Sequence, residues 1–156
     1  MPTTSFALTS PAFNDDEAIP PRCTADGEDV SPALHWLDSP AETKSFALIV
    51  DDPDAPRGTW VHWVAWGIPA GRRELPEGVA KQDRTAEGIS QGKNDFGKVG
   101  YNGPAPPPGK PHRYFFKLYA LDFAPEARPG LTKQELLKLV EGHVLAEGQL
   151  MGTYRR

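Results

Sequence analysis

The stretch Thr59-Trp-Val-His-Trp-Val-Ala-Trp-Gly-Ile68 decides how this chain is read. Trp60, His62, Val64 and Trp66 alternate with Val61, Trp63 and Ala65, the period-two pattern of a strand rather than a helix. Both sides are largely apolar, which predicts a strand covered on both faces and central to the fold. Upstream, Ser45–Asp52 is aliphatic and β-branched, and Asp52-Pro53 stops it because a residue before proline is driven out of helical space. Downstream, Arg113–Asp122 is aromatic and strand-like, with His112, Tyr114, Phe116 and Leu118 on one face and Arg113, Phe115, Lys117 and Tyr119 on the other. One helix is well specified, over about 132–147. Thr132 and Glu135 form a capping box, Leu131 and Leu136 a hydrophobic staple, and Leu136, Leu139, Val140 and His143 or Val144 an apolar stripe. Gly148 is a suitable terminator, and Gly142 inside the run weakens the helix and allows an earlier end. Leu150–Tyr154 reads as a short final strand or an extended return.

Composition bounds the function. The 156 residues carry 17 Lys+Arg against 21 Asp+Glu, a net charge of −4. With no basic cluster, the chain lacks the electrostatic stripe that nucleic-acid binding requires. The longest apolar run, Phe46–Val50, is far short of the ~20 residues of a membrane span, so no stable membrane insertion is expected. Cys23 is the single cysteine and excludes an internal disulfide. Together with an N-terminus that lacks the charged and apolar regions of a secretory signal, it fits a cytoplasmic location. The 17 Pro and 15 Gly punctuate a chain that also holds 15 aromatic residues, the mark of a packed, loop-rich β protein. No repeat or linker divides it, so residues 1–156 are expected to form one domain, as a monomer or homodimer.

Three segments bring polar groups to the ends of apolar strands: Asp52-Pro53-Asp54-Ala55-Pro56, Trp60-Val61-His62, and Gly97 to Tyr114. Each is weak alone. An Asp-Pro-Asp turn is as often structural as functional, and a histidine among tryptophans is more often a satisfied core residue than a ligand. His112, at a strand start after a proline-rich loop, is better placed for function. Two alternatives compete. Gly88-Ile89-Ser90-Gln91-Gly92 matches the hydrolase nucleophile elbow in letters, but it lacks the strand before and the helix after. Two histidines with two aspartates could hold zinc, although no compact ligand spacing occurs. No cofactor is indicated.

Taken together, the motifs are similar to those of the phosphatidylethanolamine-binding protein family, in its bacterial Raf-kinase-inhibitor-like branch. The resemblance rests on Asp-Pro-Asp-Ala-Pro at 52–56, Trp-Val-His-Trp at 60–63, Gly-Tyr-Asn-Gly-Pro-Ala-Pro-Pro at 100–107, His-Arg-Tyr at 112–114, Leu-Tyr-Ala-Leu-Asp at 118–122 and the ending from Gly142 to Tyr154. It implies a β-sandwich of a large antiparallel sheet and a smaller sheet with peripheral helices. It also implies a small pocket for an anion such as the phosphate of a headgroup, in a binding or regulatory module rather than an enzyme, with an unidentified protein as a second kind of partner. Carried over by position, the pocket residues are Asp52, Asp54, Trp60, His62, His112 and Tyr114, closed by backbone from Gly100 through Gly103 to Pro106. Val61 stands where many eukaryotic members have a first histidine. Bare carboxylates repel an anion, so Asp52 and Asp54 are expected to orient His62 and raise its basicity, against the opposite pull of burial. The imidazoles and the Tyr114 hydroxyl would then donate, helped by amides of the glycine-flanked loop. Arg113, on the opposite strand face, is expected to pair with an acidic residue near the pocket wall.

Overall fold

The computed structural model of the chain describes residues 4–126 and 128–156. In chain order the elements are β1 (Thr4–Ser5), β2 (Ala7–Thr9), β3 (Glu17–Ala18), β4 (Leu34–Leu37), β5 (Ser45–Asp52), β6 (Trp60–Pro69), β7 (Glu74–Leu75), β8 (Ser90–Gln91), β9 (His112–Leu121), α1 (Lys133–Val140) and β10 (Val144–Tyr154). The large sheet runs β1-β10-β9-β5-β6-β8, and β3 also pairs with β10. The small one runs β2-β4-β7. The long strands are antiparallel to one another, whereas β1 and β3 lie parallel to β10, so the large sheet is mixed at that edge rather than wholly antiparallel.

Burial explains the layers. All eight residues of β5 are buried, because the strand is flanked by β9 and β6 and covered on both faces. One face, with Phe46, Leu48, Val50, Trp63, Phe116 and Leu118, packs on Leu8, Leu34, Trp36 and Leu75 of the small sheet. The other, with Ala47, Ile49, Val61, Val64, Trp66 and Leu121, is closed by Leu136 and Val140 of α1.

The alternation that identified β6 holds only in part. Val50 pairs with Trp63 and the next residue, Asp51, pairs with Val61, so His62 is an extra residue opposite a single step of β5. Such a bulge shifts the two-residue phase. Val61, Val64 and Trp66 therefore share the helix side, while His62 and Trp63 both face away from it. Val64 and Trp66 do not share a face with His62, as unbroken alternation would require.

The helix is shorter than 132–147. Its start is as the capping box specifies, with the Thr132 side chain accepting from Glu135 N and the Glu135 carboxylate accepting from Thr132 N. It ends at Val140, just before Gly142 at φ +81°, and the chain enters β10 at Val144. Gly148 lies inside that strand rather than terminating the helix, and a Cβ there would stand 2.9 Å from the Phe6 ring. Its glycine permits β1 to approach.

Candidate functional site

At one end of the large sheet a cavity of about 280 Å³ opens between the ends of β5, β6 and β9 and the loops after β5 and before β9. Asp52, His62, His112 and Tyr114 are its buried polar walls. Trp60, Phe96, Pro106 and Pro107 form an apolar collar, with Ala55, Pro56 and the exposed Arg57 beside it. The bulge is what turns His62 into this space, edge-on to the Tyr114 and Phe96 rings with centroids 5.2 and 5.4 Å away.

The two histidines are held differently. His112 places Nδ1 2.7 Å from Oδ2 of Asp52, and its ring stacks on Tyr114. His62 places Nδ1 2.6 Å from the main-chain oxygen of Asn102. Asp52 thus orients His112 rather than His62. Burial is the largest influence on His62 and depresses its pKa, against the smaller opposing effects of the Asn102 bond and of Asp52, Asp29 and Asp51. Burial therefore outweighs the carboxylates that were expected to raise its basicity. Burial also pushes the Tyr114 phenol upward, so its hydroxyl keeps its proton and remains a donor.

Six of the nine expected site residues line the cavity: Asp52, Trp60, His62, Pro106, His112 and Tyr114. Asp54, Gly100 and Gly103 do not. The Asp54 carboxylate accepts from the Arg113 main chain at 3.0 Å and from its guanidinium at 2.9 Å, which lowers the carboxyl pKa. Arg113 thus has its acidic partner, and that partner is the aspartate expected beside His62. The Gly103 amide is already committed to Oδ1 of Asp29 at 2.7 Å, and a Cβ there would lie 2.2 Å from the Cys23 carbonyl. Gly100, at φ +94°, offers its carbonyl to Asn94 Nδ2 and packs against Lys81. Both glycines pin the loop, and the Gly103 amide is taken by Asp29 rather than presented to a ligand.

Sequence reasoning passed over Phe96, and it placed Asn102 only within the closing backbone from Gly100 to Pro106. Phe96 follows Asn94, whose Oδ1 accepts from the amides of Phe96 and Lys98, an Asx turn that sets the aromatic ring at the rim. The Asn-Asp-Phe-Gly turn with an aromatic at its tip was the available signal. Asn102 acts through its backbone: its N–H donates to the His62 carbonyl at 3.1 Å and its oxygen accepts from the ring. The Asn102 side chain donates to Asp29 Oδ2 at 3.0 Å.

The wall is secured from behind. Arg156 Nη1 donates to the Pro106 carbonyl at 3.3 Å while the rest of its guanidinium and the Tyr154 hydroxyl hold Asp26. The Tyr101 hydroxyl donates to the Cys23 carbonyl at 2.6 Å. The Cys23 thiol itself is fully buried, and burial raises its pKa to about 11, so it is a packing residue.

Neither competing site takes shape. Ser90 is buried in the two-residue strand β8, opposite Trp66, and not on a strand-to-helix turn. Among the described residues no three His, Cys, Asp or Glu side chains converge in a way that could hold a metal ion, and no helix is long and apolar enough to cross a membrane.

Two packed sheets with a His/Asp/Tyr cavity at the strand ends define a pocketed β-sandwich. The chain belongs to the phosphatidylethanolamine-binding protein family, whose pattern it matches over residues 9–155. It is 52% identical over 149 residues to a UPF0098 protein of Methanothermobacter thermautotrophicus, covering 96% of this chain and 98% of that one. Among solved structures, E. coli YbcL, described as a member of the mammalian PEBP family, superposes with a TM-score of 0.90 at 32% identity, covering 98% of this chain and 99% of that one. A phosphatidylethanolamine-binding protein homologue from Chlamydia trachomatis gives 0.88 at 38% identity, covering 99% of each chain.

Proposed function

We propose that the cavity binds a small oxyanion, such as free phosphate or the phosphate of a headgroup, and that the protein is a binding or regulatory module rather than an enzyme. The observation that carries this is the convergence of His112, backed by Asp52 at 2.7 Å, with Tyr114 and His62 inside an apolar collar. When the His112 ring carries a proton on Nε2, it donates into the cavity and Asp52 offsets the added charge. The Tyr114 hydroxyl supplies a second donor. The collar sets both donors in an apolar surround, which strengthens their bonds.

A site this small is expected to bind in the micromolar to millimolar range, about 4–8 kcal/mol. Titration calorimetry with inorganic phosphate and with phosphoethanolamine, repeated on His112→Ala, tests it. Loss of binding in the variant supports the assignment. Undiminished binding removes His112 as a donor, and turnover of an ester panel by the wild type would restore the hydrolase alternative.

A further inference from the structure

When His112 carries its second proton, with Asp52 behind it, His62 and His112 present opposite chemistry to the same cavity. The partner of His62 Nδ1 is a main-chain carbonyl, which can only accept, so Nδ1 carries the hydrogen and Nε2 of the neutral ring carries a lone pair. Nε2 has no hydrogen bond to any described residue and is not among the sealed polar atoms, so it opens onto the cavity the ring lines. The ring is neutral near pH 7, because burial depresses its pKa. The charged or titratable groups around it are Asp51 and Asp52 of β5, Asp29 of the loop before β4, and His112 and Tyr114 of β9, with Arg57 at the mouth. None of them is bonded to Nε2. The cavity therefore holds one fixed acceptor beside its donors.

We infer that the site selects an oxyanion that still bears a proton, with its P–OH donating to His62 Nε2 and its charged oxygens accepting from His112 and Tyr114. This rests on the anion-binding reading above and narrows it. An anion without a hydroxyl sets an oxygen lone pair against the Nε2 lone pair, and a site built around one hydrogen bond rejects the analogue that lacks it. The favoured class is inorganic phosphate, or a phosphomonoester in its monoanionic form. Sulfate and the phosphodiester of an intact phospholipid belong to the disfavoured class.

Four probes separate these cases. Inorganic phosphate keeps a hydroxyl throughout the neutral range, and methyl phosphate keeps one only below its second pKa, near about 6. Sulfate and dimethyl phosphate have none. In calorimetry on the full chain at about pH 7.5, phosphate is expected to bind at least about tenfold more tightly than sulfate or dimethyl phosphate, and methyl phosphate is expected to gain affinity as pH falls toward 6. Binding of methyl phosphate there extends the class to esterified phosphate, and binding of inorganic phosphate alone confines it to the free ion; both support selection by the proton. In His62→Gln, whose amide can turn an N–H toward the ligand, phosphate is expected to stay bound while its preference over sulfate shrinks to within about threefold. Sulfate or dimethyl phosphate binding as tightly as phosphate to the wild type overturns the inference and leaves anion binding standing. A phosphate preference unchanged in a folded His62→Gln also overturns it. Absence of binding by all four probes overturns both. The wild-type comparison needs no variant to fold.

Discussion

Asp51 and Asp52 are neighbours in β5, both buried, yet they leave the strand on opposite faces and meet different partners. Asp51 meets Lys133 Nζ at 2.7 Å where α1 begins, on the face that the helix closes. Asp52 meets His112 at the same 2.7 Å, on the cavity side. The first partner is an ammonium, which can only donate. The second is a ring that lines the cavity, with its other nitrogen not bonded to Asp52. One carboxylate therefore ties helix to sheet, and its neighbour backs a histidine in the cavity wall, a division produced by strand geometry alone.

The comparison breaks most visibly at Lys133. Lys133→Ala leaves Asp51, 3% exposed at its side chain, without its counter-charge. Because the lysine is itself 20% exposed, the expected loss is about 3 kcal/mol, the low end for a broken buried pair, with phosphate affinity unchanged. Urea denaturation alongside calorimetry reads both quantities. A loss below about 1 kcal/mol would make this an ordinary surface pair.

Asp52→Asn should show the reverse pattern. Stability should change little, because the amide fills the same space, while phosphate affinity falls about tenfold, or 1.4 kcal/mol, as His112 loses the charge behind it. Equal affinity in the variant would mean that the pair is structural on both faces.

His62 sharpens the contrast through pH. Its folded pKa lies below the ordinary value near 6.5, so between the two the unfolded chain takes up a proton that the folded ring does not. Its contribution is thus present above about 6.5 and is lost as pH falls through the lowered value, by at most about 1.4 kcal/mol per pH unit. The stability difference between wild type and His62→Gln, followed by denaturation from about pH 7.5 to 5, should move against the wild type on acidification. A flat difference would show that burial does not govern this ring.

The smallest effect is expected at the exposed rim. Asp54→Asn removes the charge facing Arg113, but the pair is open to solvent and screened. Neither the denaturant midpoint nor phosphate affinity should shift resolvably. A clear loss of affinity would return Asp54 to the binding site.

What could be read from the chain follows from how local each cause is. Ser45–Asp52, the alternation of β9 and the capping box at Thr132 and Glu135 depend on neighbours in sequence, and all are present. The bulge at His62 depends on pairing with β5, which no local pattern records, so the faces of β6 were legible only on one side of it. Partner choice failed for the same reason. Asp52 and Asp54 stand two residues apart and look equivalent, yet β9 delivers His112 to one and Arg113 to the other. The Gly103 amide appeared free because Asp29, which accepts from it, lies far away in sequence. The family motifs gathered six pocket residues that spacing alone would not have brought together.

The clasp between Arg156 and Asp26 spans 130 positions, and Arg156 also steadies the Pro106 wall. Closing so large a loop adds little thermodynamic cost, because the entropy penalty grows only logarithmically with length, but contacts this distant form slowly. The Arg156 contact to the wall forms only once the end of β10 has reached the loop around Asp26. During refolding, the sheet can therefore be in place while the cavity is still ajar. Under the proposed function, competence to hold the oxyanion would be a clock for the last stage of chain assembly, and a ligand that binds only the closed form would draw the final equilibrium toward it.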